Sequence, residues 1–255
     1  MMMDVAMTQN RHSTAVIVFV KTPSAGSVKT RLARTLGDDA ALGLYRRFVA
    51  DILEMLGEVP GKTGISLRIG FDPPGAGQDV AEWLGPGYFL FAQRGEALGE
   101  KMHHALVSAF DAGVENAVLI GTDIPHLSRD TIEEALAALE ENDAVIGAAS
   151  DGGYYLIGFD AMGYSPVVFD NIPWSTGRVF GETMRRFDSL GIRPHELPVY
   201  SDIDTFDDLV EFADTVSGNP GAASNTMAYI AGSPLLTGLL RNAGRKSAPR
   251  NGNTP

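Results

Sequence analysis

Residues 15–20 read Ala-Val-Ile-Val-Phe-Val, a short, continuous apolar run rich in β-branched side chains. Such a run is typical of a strand buried on both faces of a parallel sheet. A loop over residues 21–29 follows, interrupted by Pro23 and Gly26. A helical pattern then runs from about residue 39 to 56, with apolar residues recurring every three or four positions. The beginning of the chain therefore predicts a strand, a loop and a helix.

The rest of the chain extends this alternation and predicts an α/β fold. We expect a mostly parallel central sheet with helices on both faces and a small antiparallel addition. The antiparallel element is residues 154–159, because only Asp151-Gly-Gly153 separates it from the preceding strand; it is either antiparallel or part of a separate small sheet. Further strands are predicted at 65–71, 88–92, 117–120, 144–149 and 195–200, and helices at 80–84, 98–112, 128–141, 176–190 and 206–216.

Composition excludes several classes of protein. The formal net charge of -12 argues against general nucleic-acid binding, which needs a basic surface. The absence of cysteine excludes disulfides, zinc–thiolate sites and cysteine nucleophiles. No apolar run approaches the length of a membrane span, and residues 1–14 lack the apolar core of a signal peptide. We therefore expect a cytoplasmic protein with neither a membrane nor a nucleic acid as partner.

Three regions are expected along the chain. Residues 1–14 are predicted to be a disordered N-terminus, and residues 15–216 a single α/β domain. Residues 217–255 are rich in Gly, Ala, Ser, Asn and Pro, which predicts a low-complexity, flexible tail. Within that tail, residues 229–240 could form only a weak amphipathic helix.

Charged loops follow several of the predicted strands. In parallel α/β sheets, ligands bind outside the carboxyl ends of the strands, so these loops are expected to converge on one edge. One basic loop and three acidic loops are what a diphosphate and a divalent cation would need, since Mg²⁺ binds through a few carboxylates and substrate phosphates. The basic loop contributes Lys21, Gly26, Lys29 and Arg31; the acidic loops contribute Asp123, Asp151, and Asp202 with Asp204.

Structural interpretations compete with these functional ones. Thr205 could cap the last predicted helix, with Asp208 completing a capping box, but this explains neither Asp202 nor Asp204. The basic loop could be a solvated helix start, and it is not a P-loop, because Pro23 and Val28 occupy the positions that need glycine.

Six segments of the chain are characteristic of a known family. They are Lys21-x-Pro23-x-x-Gly26-x-Val-Lys-Thr-Arg-Leu32, Leu98-Gly-Glu-x-Met102, Gly121-Thr-Asp-x-Pro125, Asp151-Gly-Gly-Tyr-Tyr-Leu-Ile-Gly158, Pro173-Trp-Ser-Thr176 and Asp202-x-Asp-Thr205. Through them the chain resembles, over roughly residues 15–212, the glycosyltransferase-A-like family known as DUF2064, which includes proteins labelled arsenosugar-biosynthesis or selenodomain-associated glycosyltransferases. The chain is also distantly similar to the nucleotidyltransferases that make molybdenum-cofactor dinucleotides or guanylylate phospholactate, but those usually have a glycine-rich first loop.

The resemblance implies the nucleotide-diphospho-sugar transferase (GT-A) fold. It implies a metal-dependent glycosyltransferase that moves a sugar from a nucleotide-diphospho-sugar to a small acceptor. The alternative is guanylyl or cytidylyl transfer from a nucleoside triphosphate to a phosphorylated or sugar acceptor. A non-catalytic nucleotide-binding module is a third possibility. The identities of donor and acceptor, the stereochemical course and the oligomeric state are left open.

The resemblance places these residues in the site, and their charges suggest the role of each. Asp123 and Asp204 are expected to bind Mg²⁺ or Mn²⁺, and Asp151 is the candidate base for the acceptor hydroxyl. Gln93 and Glu100 are expected to line the base or ribose pocket. The remaining expected substrate contacts are Lys21, Pro23, Gly26, Lys29 and Arg31 on the phosphate side, the turn at Gly152 and Gly153, and Trp174 and Ser175 on the acceptor side.

Overall fold

A computed structural model describes residues 14–57, 65–218 and 221–247. The described residues form two compact units. The sheet unit contains residues 14–22, 56–57, 65–121 and 129–200. The helical unit contains residues 23–55, 122–128, 201–218 and 221–247.

Seven strands make up the sheet of the sheet unit. Their order is β3-β2-β1-β4-β6-β5-β7, and β6 alone runs antiparallel to both of its neighbours. The strands are β1 (Thr14–Lys21), β2 (Ile65–Asp72), β3 (Phe89–Ala92), β4 (Asn116–Ile120), β5 (Ala144–Ala149), β6 (Tyr154–Asp160) and β7 (His195–Tyr200).

The α-helices of the described residues alternate with these strands up to β7, except between β5 and β6. They are α1 (Thr30–Leu36), α2 (Asp38–Gly57), α3 (Gly77–Leu84), α4 (Leu98–Asp111), α5 (Arg129–Ala138), α6 (Val179–Ser189), α7 (Phe206–Val216), α8 (Ser224–Gly232) and α9 (Pro234–Ser247). Short 3-10 turns lie at Pro74–Ala76 and Pro166–Phe169. None of these helices is long and apolar enough to cross a membrane.

The sheet is covered on both faces, as a continuous apolar strand requires. Val16, Ile17 and Val18 are consecutive in β1 and all fully buried, although successive side chains of a strand point to opposite faces. On one face, Ile17 packs in a core with Leu106 of α4 and Phe187 of α6. Helix α5 packs against β4, β5 and β7. The predicted α/β class is confirmed.

Strand β6 shows how the antiparallel element is accommodated. It lies inside the main sheet, hydrogen-bonded to β4 on one side and to β5 on the other, so the separate small sheet considered from the sequence does not form. Its apolar residues, such as Leu156 and Ile157, are fully buried because the strand is central. The short turn at 151–153 can connect β5 and β6 only as a hairpin, because a parallel connection would need a longer crossover segment.

The helical unit has its own core, and the end of the chain is part of it. Leu32 of α1, Phe48 of α2 and Leu209 of α7 are fully buried there, together with Ile230 of α8 and Leu236 of α9. The structure thus differs from the flexible tail predicted for residues 217–255, because Ser224–Gly232 and Pro234–Ser247 are helical. Residues 219–220 and 248–255 lie outside the described residues, as do residues 1–13 of the predicted disordered N-terminus.

One face of α2 packs against helix α8. Gly43, Arg47 and Asp51 follow one another at four-residue spacing, which places them on one face of the helix. A side chain at Gly43 would collide with the hydroxyl of Tyr229, and the guanidinium of Arg47 lies 5.8 Å from the centre of the Tyr229 ring. Asp51 accepts the backbone N–H of Thr226 at 3.0 Å, so a side chain of α2 caps the N-terminus of α8.

Candidate functional site

Two loops of the helical unit begin just past the ends of β4, a central strand, and β7, an edge strand. β4 ends at Ile120, and Asp123 follows three residues later; β7 ends at Tyr200, and Asp204 follows four residues later. The backbone N–H of Ile203 donates to the carbonyl oxygen of Asp123 at 2.9 Å, which joins the two loops directly. The predicted meeting of these two carboxylates is therefore supported by a backbone hydrogen bond.

Lys29 lies between the two carboxylates. Its Nζ is 2.6 Å from Oδ1 of Asp123 and 2.9 Å from Oδ1 of Asp204, and its side chain is only 4% exposed. The ring of Phe48 lies beneath the ammonium, with its centre 5.7 Å away. The carboxylates themselves are 50% and 36% exposed, so a buried cation holds two carboxylates that still face solvent.

The backbone at Lys29 is unusual. Its φ of 47° and ψ of 44° lie in the left-handed region, which residues other than glycine and asparagine seldom adopt, and it forms the N-cap of α1. Unfavourable backbone conformations of this kind cluster at functional sites, where the surroundings enforce them. Here the two ion pairs and the aromatic contact hold the side chain in place.

The charge state of Lys29 follows from these contacts. Burial by itself lowers the pKa of the ammonium, whereas the charges of Asp123 and Asp204 and their hydrogen bonds raise it. The carboxylates prevail, so the pKa of Lys29 lies above its ordinary value and the side chain is charged at neutral pH.

Arg31 is a second cation of this site and differs from Lys29 in exposure. Its side chain is 62% exposed, and its Nη1 lies 3.5 Å from Oδ2 of Asp204. We call Lys29, Arg31, Asp123 and Asp204 together the Lys29 cluster. Within it, Arg31 is the cation that a ligand in solution can reach most readily.

Asp208 belongs to helix capping and not to this cluster. Its Oδ2 accepts the backbone N–H groups of Asp204 and Thr205, while Thr205 Oγ1 accepts the N–H of Asp208 in return. Although partial burial raises the pKa of Asp208, these hydrogen bonds outweigh it and hold the pKa below its usual range. The capping box considered from the sequence is thus confirmed, and Asp204 is left to pair with Lys29.

The carboxylates of Asp123 and Asp204 fit a divalent cation that is bound by the protein and a substrate together. Among the residues that the structure describes, no group of three or more His, Asp or Glu side chains is arranged to hold a metal. Asp123 and Asp204 nevertheless approach one common point, occupied by Nζ of Lys29, and both are open to solvent. Two carboxylates completed by phosphate oxygens and water are a common environment for Mg²⁺.

The basic loop is divided between the units. Lys21 is the exposed last residue of β1 and belongs to the sheet unit, whereas Pro23, Gly26, Lys29 and Arg31 belong to the helical unit. Gly26 has a φ of 74°, which favours glycine, and a side chain there would touch a carboxylate oxygen of Asp38 at 3.5 Å. The structure therefore brings together Lys29 and Arg31 with the acidic loops of the helical unit.

Two residues predicted to line the base or ribose pocket make structural contacts within the sheet unit. Gln93 is buried, and its Nε2 donates to the carbonyl oxygens of Gly70 at 2.9 Å and Val20 at 3.4 Å. Both amide hydrogens are thereby used. Glu100 accepts the N–H groups of Glu96 and Ala97 at the start of α4, and these hydrogen bonds lower the pKa of Glu100. Both side chains stabilise the backbone of the sheet unit.

The turn at 151–153 is closely packed against the start of α6. Gly152 has a φ of 90°, and a Cβ there would collide with the carbonyl oxygen of Gly177, so only glycine fits. The N–H of Gly153 donates to Oδ1 of Asp151 at 2.8 Å, which fixes the orientation of an exposed carboxylate. Asp151 is thus presented on a rigid turn.

Trp174 and Ser175 lie on a loop of the same unit. The Trp174 ring packs over Gly99, where a Cβ would come within 2.7 Å of it, and contacts the ring of Tyr154 edge-on. Ser175 has a φ of 62°, so it too adopts the left-handed region. This loop therefore combines a partly exposed aromatic ring with an enforced backbone conformation.

Sequence reasoning missed two features of the site. The first is that Lys29 is buried and paired; its two partners lie far away in sequence, Asp204 being 175 residues distant. The second is Phe48, which had been counted only as an apolar residue of α2. No local signal in the sequence indicates either contact.

The family model for "Uncharacterized protein conserved in bacteria (DUF2064)" matches residues 55–176. A crystal structure from Desulfovibrio desulfuricans G20, provisionally described as a nucleotide-diphospho-sugar transferase, is 36% identical, with a TM-score of 0.82 over 90% of this chain and 97% of that one. The chain belongs to the DUF2064 family. Its fold is that of the nucleotide-diphospho-sugar transferases, as the sequence resemblance implied.

Two other solved structures have much lower identity to this DUF2064 chain. A nucleotidyl transferase from Methanothermobacter is 13% identical, with a TM-score of 0.50 over 80% of this chain and 97% of that one. A 4-diphosphocytidyl-2C-methyl-D-erythritol synthase from Anaerococcus prevotii is 15% identical, with a TM-score of 0.48 over 81% of this chain and 98% of that one. No curated protein sequence matches the chain.

Proposed function

We propose that this protein is a transferase that uses a nucleotide-diphospho-sugar and a divalent cation to transfer the sugar to a small acceptor. The observation that carries the proposal is the Lys29 cluster, in which two solvent-facing carboxylates are held side by side next to an exposed guanidinium. This arrangement can bind a diphosphate and its metal ion together. The similarity to the Desulfovibrio protein supports the choice of donor.

Asp123 and Asp204 would hold the cation, either Mg²⁺ or Mn²⁺. When bound, the cation would neutralise the charge that develops on the departing diphosphate. Arg31 would contact the phosphate oxygens directly, because it is exposed and its guanidinium can donate two parallel hydrogen bonds. These roles give each charged group of the cluster a part in binding or in charge stabilisation.

Nucleotidyl transfer from a nucleoside triphosphate remains the alternative reaction. It would use the same carboxylates, since the charge to be neutralised also lies on a phosphate chain. A module that binds nucleotides without turnover would not need two carboxylates open to a metal ion. Glycosyl transfer is preferred because the 36% identical relative is described as a nucleotide-diphospho-sugar transferase.

The test is a thermal-shift panel of nucleotide sugars and nucleoside triphosphates, each with and without Mn²⁺. We expect the largest stabilisation from a nucleotide sugar with Mn²⁺, because binding to the folded state alone raises its stability. Product analysis with the best ligand then distinguishes release of a nucleoside diphosphate from release of pyrophosphate. A preference for triphosphates with release of pyrophosphate would establish the alternative.

Asp151 is proposed as the base that accepts the proton of the acceptor hydroxyl. Its replacement by asparagine keeps the size of the side chain and removes its basicity. We expect Asp151→Asn to lower turnover by about 10²–10⁴-fold while nucleotide-sugar affinity is unchanged. The control is Asp160→Asn at the end of β6, which should leave turnover intact. Loss of affinity in parallel with turnover would instead identify Asp151 as a substrate ligand.

A further inference from the structure

The charges of the Lys29 cluster are balanced before any ligand binds. Lys29 and Arg31 contribute two positive charges, and Asp123 and Asp204 contribute two negative ones. A divalent cation binds to carboxylates chiefly through their net negative charge. In this cluster that charge is already neutralised by groups in direct contact.

Lys29 is the dominant neutralising group because of its position. Its ammonium reaches one oxygen of each carboxylate, whereas Arg31 reaches only Asp204 and at a longer distance. Its side chain is buried over Phe48, and this packing opposes a move of the ammonium into solvent when a second cation approaches. A free metal ion at Asp123 and Asp204 would therefore lie within a few ångströms of a fixed positive charge.

The situation changes when the metal ion arrives with a diphosphate. A complex of Mn²⁺ with a nucleoside diphosphate carries a net negative charge at neutral pH, because the ionised diphosphate outweighs the charge of the metal ion, so Lys29 and Arg31 attract the complex. The same two cations that weaken the binding of free metal thus favour the binding of the complex.

We propose that Lys29 is a built-in counter-cation that prevents Asp123 and Asp204 from binding free divalent metal, so that the metal enters this site only together with a diphosphate. This makes Lys29 a positioning residue and not a phosphate ligand. The inference rests on the proposed function, because it assumes that these two carboxylates are the metal ligands.

The first arm of the experiment measures binding of Mn²⁺ alone, by the electron paramagnetic resonance signal of the unbound ion. Lys29→Met should tighten the binding of free Mn²⁺ by about tenfold or more. The reason is that a unit positive charge a few ångströms from a divalent cation lowers its binding constant by at least that factor. Lys29→Arg keeps the charge and should bind Mn²⁺ as weakly as the wild type. Arg46→Met, which removes an exposed cation of α2, controls for net charge.

The second arm titrates preformed Mn²⁺–UDP and Mn²⁺–GDP complexes. Lys29→Met should not bind either complex more tightly than the wild type does, in contrast to its gain for free Mn²⁺. The first arm needs no nucleotide, so it decides the inference even if no nucleotide sugar is a substrate. Failure of both nucleotides to bind would count against the proposed function alone.

The inference is overturned if folded Lys29→Met binds free Mn²⁺ no more tightly than the wild type, or if Lys29→Arg gains as much as Lys29→Met. Asp123→Asn in the Lys29→Met background should abolish the gain; a gain that survives places the metal elsewhere and also overturns the inference.

If Lys29→Met does not fold, Arg31→Met replaces it. That exposed variant should show a smaller gain in the same direction, and no gain would overturn the inference.

Discussion

Two carboxylate centres of the helical unit differ in how fully their oxygens are used. Asp51 is 5% exposed and accepts four hydrogen bonds, from the backbone and side chain of both Asn225 and Thr226. Asp123 and Asp204 are 50% and 36% exposed and share one ammonium. The carboxylate of Asp51, whose two oxygens are both hydrogen-bonded, holds α2 and α8 together. The carboxylates of Asp123 and Asp204 retain solvent-exposed oxygens that a ligand can reach.

The difference separates stability from function within one unit. We expect changes at Asp51 and its partners to alter the free energy of unfolding, because buried N–H groups would lose their acceptor. We expect changes at Asp123 and Asp204 to alter ligand binding, because their exposed oxygens contribute little to the folded core.

The largest effect is expected from removing the partners of Asp51 altogether. Truncation after Val216 deletes Ile230 and Leu236, which are 4% and 0% exposed, together with the capped start of α8. Deleting a buried aliphatic side chain costs about 2–5 kcal/mol, so the truncation should lower the free energy of unfolding by about 5 kcal/mol or more. Denaturant titration measures this, and unaltered stability would show that α8 and α9 do not dock.

A matched pair of neighbouring leucines refines the truncation. Leu236 is fully buried and Leu235 is 53% exposed in the same turn of α9. Leu236→Ala should cost about 2–5 kcal/mol, whereas Leu235→Ala should stay within about 0.5 kcal/mol. Equal effects of the two substitutions would contradict the packing of α9.

The sheet unit was largely predictable from the sequence, as were α2 and α7 of the helical unit, but the other helices of that unit were not. The predicted bounds of β5, β7 and α7 agree with those observed, because period and flanking turns define them locally. Helix α1 was missed because it is only seven residues long and follows a strained residue. Helices α8 and α9 depend on Gly43 and Asp51 of α2, which are distant in sequence, so their own weak pattern could not reveal them.

Next in size is the effect of removing one of the open carboxylates. Asp123→Asn should reduce metal-dependent turnover more than about 100-fold, since a catalytic metal ion contributes several kcal/mol. The melting temperature without ligand should change little, because the side chain is half exposed. Steady-state kinetics across a Mn²⁺ titration measures the effect. Asp214→Asn, at an exposed position of α7, is the control and should retain full turnover.

Replacing Asp51 should have the opposite effect, in which stability falls and nucleotide affinity does not. Asp51→Ala leaves buried donors of α8 unsatisfied, and we expect a loss of about 2–4 kcal/mol in the free energy of unfolding. Nucleotide affinity of the protein that remains folded should be unchanged. Glu54→Gln is the control, because the hydrogen bond that Glu54 Oε2 accepts from the side-chain amide of Asn225 is exposed. A loss of affinity with no loss of stability would reverse the roles assigned to the two centres.

The smallest effect is expected at the exposed cation. Arg31→Ala should weaken nucleotide-sugar binding in the presence of Mn²⁺ by about 1.5–3 kcal/mol, the range for hydrogen bonds to charged groups. Isothermal titration calorimetry measures the change. Arg34→Ala, also on α1 and exposed, should bind like the wild type. If Arg31→Ala lowers only the melting temperature of the free protein, Arg31 is structural.

The Asp51 cap also dictates when during synthesis the helical unit can be completed. Asp51 and Asn225 are 174 residues apart, which a ribosome needs on the order of ten to thirty seconds to translate. A chain halted after Tyr200 contains every strand of the sheet, yet it lacks Asp204 and the helices that cover α2. Chains halted there therefore lack one carboxylate of the Lys29 cluster, and the cap of α8 forms only after Asn225 and Thr226 have been made.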